Sequence, residues 1–209
     1  RERRGCKIFD SKSKGSGKAE IRNRTPNRSE DAGVMNNSLL SRKIAVLAGG
    51  PSCERDISLV SGKAVYDALS SLGLQVTLVD AVGDFMESLK KENVSLVFIA
   101  LHGSFGEDGE VQKLLHKEDI VYTGSGPRAS ELAFDKTLSQ ALFEKEGIRV
   151  PSFRVFKAKG EPAVSPMRFP VVVKPASAGS SVGVRIVPEE KDFAAARDEA
   201  HRYSDASLD

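Results

Sequence analysis

The 209-residue chain has no tryptophan, only two cysteines and three histidines, and no apolar run long enough to cross a bilayer. Cys6 and Cys53 alone build neither a disulfide framework nor a cysteine metal cluster. No leucine occurs before Leu39, and few other apolar residues do. A stretch that poor in apolar side chains cannot offset the entropy of ordering it, so residues 1–42 are expected to form a disordered basic tail. It also lacks the apolar centre of a signal peptide. Its Gly15-Ser16-Gly17-Lys18 run is not a Walker loop, because Lys12 stands where the first glycine would fall, Ala19 replaces the Ser/Thr and no strand is expected before it. The first methionine is Met35, so residues 1–34 are expected to be translated upstream sequence or a tail outside the chemistry. A net excess of one charge is missing too, with 31 basic against 29 acidic residues. Ten basic and five acidic residues fall within 1–34, leaving 21 basic and 24 acidic beyond. That mildly acidic remainder argues against nucleic acid as a partner. The expectation is a soluble cytoplasmic protein with neither a nucleic-acid nor a membrane partner.

What is present becomes regular at Lys43. Ile44–Ala48 is a continuous apolar run ending in Gly49-Gly50, the pattern of a buried parallel strand. Ile57, Val60, Ala64, Ala68 and Leu72 follow helical spacing, closed by Gly73. Val76–Val79 and Leu96–Ala100 read as further strands, with a short helix around Phe85–Lys90 between them. This alternation predicts a parallel, doubly wound sheet. Helical segments are expected at Gly109–Lys117 and Asp135–Glu146. Beyond Pro151 the rhythm changes to strands at Phe153–Phe156, Pro170–Lys174 and Val182–Val187, then a helix from about Pro188 to Tyr203. The fold class is α/β, with an α/β lobe over residues 43–124 and an α+β lobe over 125–209.

Three loops carry candidate chemistry. In the first, Val171-Val172-Val173 delivers Lys174 into a run of small residues from Ala176 to Ser181, and a second apolar strand leaves it. A lysine ammonium beside backbone N–H groups that no side chain shields suits a phosphate chain. Walker and Rossmann loops run from strand to helix, whereas this one joins two strands and fits a flap over the phosphates of ATP. A plain β-hairpin would also explain it, but so many small residues exceed what a turn requires. The second loop, Gly49–Asp56, leads into a helix N-terminus that suits a carboxylate or phosphate. Glu54 there suits a substrate ammonium, or serves as a helix-start acid. In the third, Leu101–Gly109, His102 directly follows a strand and could donate to an oxyanion or carboxylate. Glu107 and Asp108 read as a metal-binding or acid/base pair, or Asp108 as the cap of the helix beginning at Gly109. Cys53 lacks the orienting partners of a nucleophile.

Five blocks in order resemble the D-alanine–D-alanine ligases of the ATP-grasp superfamily. They are Ala48–Leu59, Leu101–Gly109 and Tyr122-Thr123-Gly124-Ser125-Gly126, then Asp135-Lys136, and finally Val173-Lys174-Pro175 with Gly179-Ser180-Ser181-Val182-Gly183. The resemblance implies a Rossmann-like parallel-sheet (pre-ATP-grasp) domain followed by the first α+β subdomain of an ATP-grasp fold. It implies that Glu54 holds the ammonium of the first D-alanine and that His102 lies near that substrate's carboxylate and the tetrahedral centre. Lys136 and Lys174 would bind ATP phosphates, with Gly179, Ser180, Ser181 and Gly183 as the flap and Ser180 closing the site with Glu54. Cys53 stands where the family often has alanine. The implied reaction joins two D-alanine molecules into the dipeptide used for peptidoglycan, through an acylphosphate. It also implies ATP and Mg²⁺ as cofactors and a homodimer at full length. The Mg²⁺ ligands and the transition-state arginine would belong to a third domain beyond Asp209, so no metal ligand is assigned here and the chain alone is expected to be inactive. A related carboxylate–amine ligase making D-alanyl-D-lactate or D-alanyl-D-serine, and a non-catalytic nucleotide-binding module, remain as alternatives.

Overall fold

The computed structural model describes residues 6–10, 37–156, 167–179 and 181–204. Expectations that fall on 1–5, 11–36 or 205–209, the Gly15–Lys18 run among them, lie outside the described residues.

The first sheet is parallel, built from β2 (Lys43–Ala48), β3 (Gln75–Asp80), β4 (Leu96–Ile99) and β5 (Val121–Tyr122) in the order β3-β2-β4-β5. β2 is its hub, and Ile44 to Ala48 are buried on both faces, as the unbroken apolar run requires. Helices α2 (Arg55–Ser71), α3 (Phe85–Lys91) and α4 (Glu110–Lys117) link the strands. Ala45, Leu47, Phe85, Leu89, Val97, Val111 and Leu115 form one core cluster. α1 (Asn37–Leu40) precedes the sheet, and α5 (Pro127–Phe134) and α6 (Lys136–Lys145) follow it. α5 was not expected, since Pro127-Arg128-Ala129-Ser130 carries little apolar period; proline at its first turn starts it.

The helical spacing over 57–72 holds, but the stripe it marks points outward. Ile57, Val60 and Leu72 are 59%, 73% and 55% exposed, and Ala64 and Ala68 are exposed beside them. α2 instead turns Ser58 and Gly62 to the sheet. A Cβ on Gly62 would lie 2.3 Å from the Ala48 Cβ, so only glycine lets the helix approach this closely. Ser58 Oγ donates to the Ala100 carbonyl at 2.8 Å and pins the same face.

The second sheet is antiparallel and takes the order β6-β1-β7-β8, with β6 at Phe153–Phe156, β7 at Val171–Pro175 and β8 at Arg185–Val187. β1 is Cys6–Asp10, paired antiparallel on both sides. Disorder was expected over 1–42, and at Cys6–Asp10 and at α1 that expectation is corrected. A ladder needs only backbone donors and acceptors, so a short segment pairs between two strands whatever the apolar content around it. β8 is shorter than expected, because Ser181–Gly183 forms a turn and strand pairing begins at Arg185. After a 3-10 turn at Glu190–Asp192, α7 (Phe193–Ser204) covers the sheet. Its Phe193 packs edge-on to Phe156 and Phe169. Val171, Val173, Val187, Ala196 and Ala200 complete this second core.

Candidate active site

The carboxyl ends of β2 and β4 face the flap that follows β7, so all three loops singled out in the sequence meet in one place. The β2 loop is braced through Arg55 and Asp80. The Arg55 guanidinium grips the Asp80 carboxylate with both Nη1 and Nη2, and Nη1 also donates to the Gly50 carbonyl at 3.2 Å. Gly50 N–H in turn donates to Asp80 Oδ1 at 3.2 Å. These contacts hold the Asp80 carboxyl below its ordinary range, chiefly through its hydrogen bond from Arg55, and raise Arg55 for the same reason.

Glu54 occupies the N-cap of α2 yet makes no side-chain cap bond. The Ser52 hydroxyl accepts the Glu54 N–H at 3.0 Å. The Glu54 side chain is therefore turned elsewhere. It is 6% exposed and lies against Gly103 and Gly179. A Cβ on Gly179 would stand 3.0 Å from Glu54 Oε1 and 3.6 Å from Glu107 Oε2, so the flap passes close beside two carboxylates.

His102 Nε2 lies 2.9 Å from the Ser61 hydroxyl on α2, and Nδ1 lies 3.7 Å from Glu107 Oε1. Asp108 accepts from Phe105 N–H at 2.9 Å and Glu110 N–H at 3.0 Å, bracing the loop and the first turn of α4. Glu107, by contrast, joins the site. The free Cys53 is exposed.

On the flap side, α6 begins beneath β7. Asp135 caps it by accepting from Thr137 and Leu138 N–H at 2.7 and 3.1 Å. Lys136 N–H donates to the Ala176 carbonyl at 2.9 Å and its ammonium to the Ala178 carbonyl at 2.6 Å. Burial lowers the pKa of Lys136, and the nearby Lys174 ammonium lowers it further; burial also lowers that of Lys174. Two half-buried ammoniums thus stand close together beside a loop of small residues.

Residues 79–125 match the D-ala D-ala ligase N-terminus family model and residues 142–208 the D-ala D-ala ligase C-terminus model. A D-alanine–D-alanine ligase of Syntrophotalea carbinolica is 45% identical over 175 residues, covering 84% of this chain and 57% of the relative. The chain belongs to the D-alanine–D-alanine ligase family. A ligase of Citrifermentans bemidjiense is 48% identical over 170 residues, covering 81% of this chain and 55% of that protein. Among solved structures, the D-alanine–D-alanine ligase of Bacillus anthracis aligns with a TM-score of 0.66 at 28% identity, over 78% of this chain and 55% of that one. The Helicobacter pylori enzyme aligns at 0.63 and 26%, over 78% and 61%. This chain therefore spans a little over half the length of the curated relatives it matches, and its fold is that of the ligase family's α/β and ATP-grasp parts.

Of the residues singled out in the sequence, Glu54 and Gly179 lie together beside Glu107, which faces His102, and Lys136 lies close to Lys174 and to the Ala178 carbonyl. Ser181 sits in the flap turn with φ 61°, a left-handed conformation unusual outside glycine, and Gly183 follows at φ 66°. Ser180 lies outside the described residues. Sequence reasoning missed Ser61 and the Arg55–Asp80 brace. A mid-helix serine and an aspartate at a strand end carry no motif of their own. Glu107 was weighed and set beside its neighbour Asp108, and only the fold separates the two. Among the described residues, no group of three or more His, Cys, Asp or Glu side chains is placed to hold a metal, and no helix is long and apolar enough to cross a membrane.

Proposed function

We propose that this chain carries the nucleotide-clamping and first-substrate parts of an ATP-dependent D-alanine–D-alanine ligase. The observation that carries the reading is the meeting of the flap with Glu54, with Gly179 beside the buried carboxylate, the Lys136 ammonium bonded to the Ala178 carbonyl of the same segment, and the Lys174 ammonium close to that of Lys136. ATP supplies a phosphoryl group that turns the carboxylate of the first D-alanine into an acylphosphate. The amine of a second D-alanine displaces phosphate from it and forms the peptide bond. Glu54 pairs with the ammonium of the first substrate, while Lys136 and Lys174 neutralise phosphate charge in a poorly solvated site. The flap, with Gly179, Ser180, Ser181 and Gly183, excludes the water that would hydrolyse the acylphosphate. Among the described residues no group of three or more His, Cys, Asp or Glu side chains is placed to hold Mg²⁺; the resemblance assigns its ligands to a third domain. A cytoplasmic setting fits the ATP requirement. A division at 124/125, between β5 of the first sheet and the helices that lead to the second, fits this reading.

We also propose that two copies pair through α2, as the homodimer expected of the family. A two-fold axis near Ala64 brings Ile57 against Leu72, Val60 against Ala68 and Lys63 against Asp67 across the pair, so stripe and flanking charges are self-complementary. Sedimentation equilibrium should find a dimer that Val60→Asp makes monomeric.

The ligase reading is tested by completing the chain. Joined after α7 to the remaining C-terminal part of the Syntrophotalea relative, it should release phosphate from ATP only when D-alanine is present. Lys174→Met should abolish that release with the fold intact. Near-normal turnover of the variant would sink the assignment.

A further inference from the structure

Ser61 lies inside α2, with its hydroxyl oxygen 3.1 Å from the Ile57 carbonyl, 3.2 Å from the Ser58 carbonyl and 2.9 Å from His102 Nε2. A hydroxyl carries one proton, and both carbonyls can only accept. Serine within a helix characteristically returns its proton to the preceding turn. The contact with His102 is then a hydrogen bond only if the ring nitrogen is the donor. A neutral imidazole that donates from Nε2 presents a lone pair at Nδ1. Nδ1 faces Glu107 Oε1 at 3.7 Å, beyond hydrogen-bonding distance, so no hydrogen bond to Glu107 requires a proton on Nδ1. His102 and Glu107 both line a cleft of about 400 Å³, with Gln112, Thr123 and Ser130 around them.

We propose that Ser61 is a positioning residue that fixes His102 as the Nε2–H tautomer, so that Nδ1 and the Glu107 carboxylate together accept an N–H donor, the ammonium or amine of an amino-acid substrate. The neutral ring then accepts on its cleft side, where a donor to an oxyanion had been expected. The substrate class rests on the ligase reading; the tautomer does not.

Long-range ¹H–¹⁵N spectra of the imidazoles in the chain as it stands test this, with His102 assigned through His102→Gln. In the neutral ring the wild-type proton should sit on Nε2. Ser61→Ala removes the acceptor for that proton and leaves Glu107 to draw it to Nδ1, so the Nδ1–H population should rise at least about threefold. Ser61→Thr, which keeps a back-bonding hydroxyl, should restore the wild-type pattern. A wild-type ring protonated on Nδ1, or Ser61→Ala spectra that match the wild type, overturns the positioning role. Titration with D-alanine should then move the Nδ1 resonance, and Glu107→Gln should weaken that response at least about tenfold. A wild-type Nδ1 that does not move under excess D-alanine overturns the paired acceptor. ATP binding measured on the same sample reports separately on the ligase reading.

Discussion

The two sheets reach order by different routes. In the parallel sheet the strands arrive in a continuous stretch of sequence, and the loops at their carboxyl ends are locked by local contacts. Asp80 at the end of β3, Arg55 and Gly50 form one such knot, and Asp108 with Phe105 and Glu110 forms another. The antiparallel sheet instead takes its second strand from Cys6–Asp10, far away in sequence. Its flap is a run of small residues tethered through Lys136 to Ala176 and Ala178. The first lobe is thus a rigid platform for Glu54 and His102, and the second holds a loop that has little side-chain packing of its own. Under the proposed ligase reading, the braced lobe would hold the substrate and the small-residue loop would close over the nucleotide.

That contrast can be broken from either side. The largest effect should come from Gly62→Val, which drives a side chain into Ala48 and should cost the parallel lobe about 1–3 kcal/mol in urea unfolding. The antiparallel lobe should be left with its native exchange pattern. Deleting residues 1–10 attacks the other side. Without β1 the facing edges of β6 and β7 lose their ladder, so amide protection there should fall at least about tenfold while β2 to β4 keep theirs. Equal loss in both sheets would show that they unfold as one unit. Asp80→Asn should be the mildest change. Because Asp80 is held below its ordinary 3.8, the stability it contributes is present above that value and lost as pH falls through the lower folded one. The variant should therefore be weaker than wild type at neutral pH, and the two should converge in acid, as thermal melts across that range can show.

Much of this was legible in the sequence, and the remainder was hidden for physical reasons. The unbroken apolar run of β2 and the glycines after β2 and β4 announced a parallel sheet with ligand loops at its edge. Lys174 before a small-residue run announced the flap. The helical period of α2 was equally plain, but not its orientation. Ser58 and Gly62 face the sheet because small residues permit close approach, and hydrophobicity alone points to the opposite face. β1 was invisible because pairing between two strands depends on backbone groups rather than on composition. Ser61 acquires its role only because His102, from another element, arrives beside it.

The central claim is that Lys136, Lys174 and the flap form a nucleotide phosphate site, and calorimetric titration of this chain with ATP tests it most directly. Both lysines are depressed chiefly by burial, so an arriving anion should raise them and binding should take up protons as pH climbs toward the ordinary lysine value of 10.5. The account predicts that uptake, and at least about tenfold weaker binding in Lys174→Met. ATP affinity that is unchanged by Lys174→Met would contradict it.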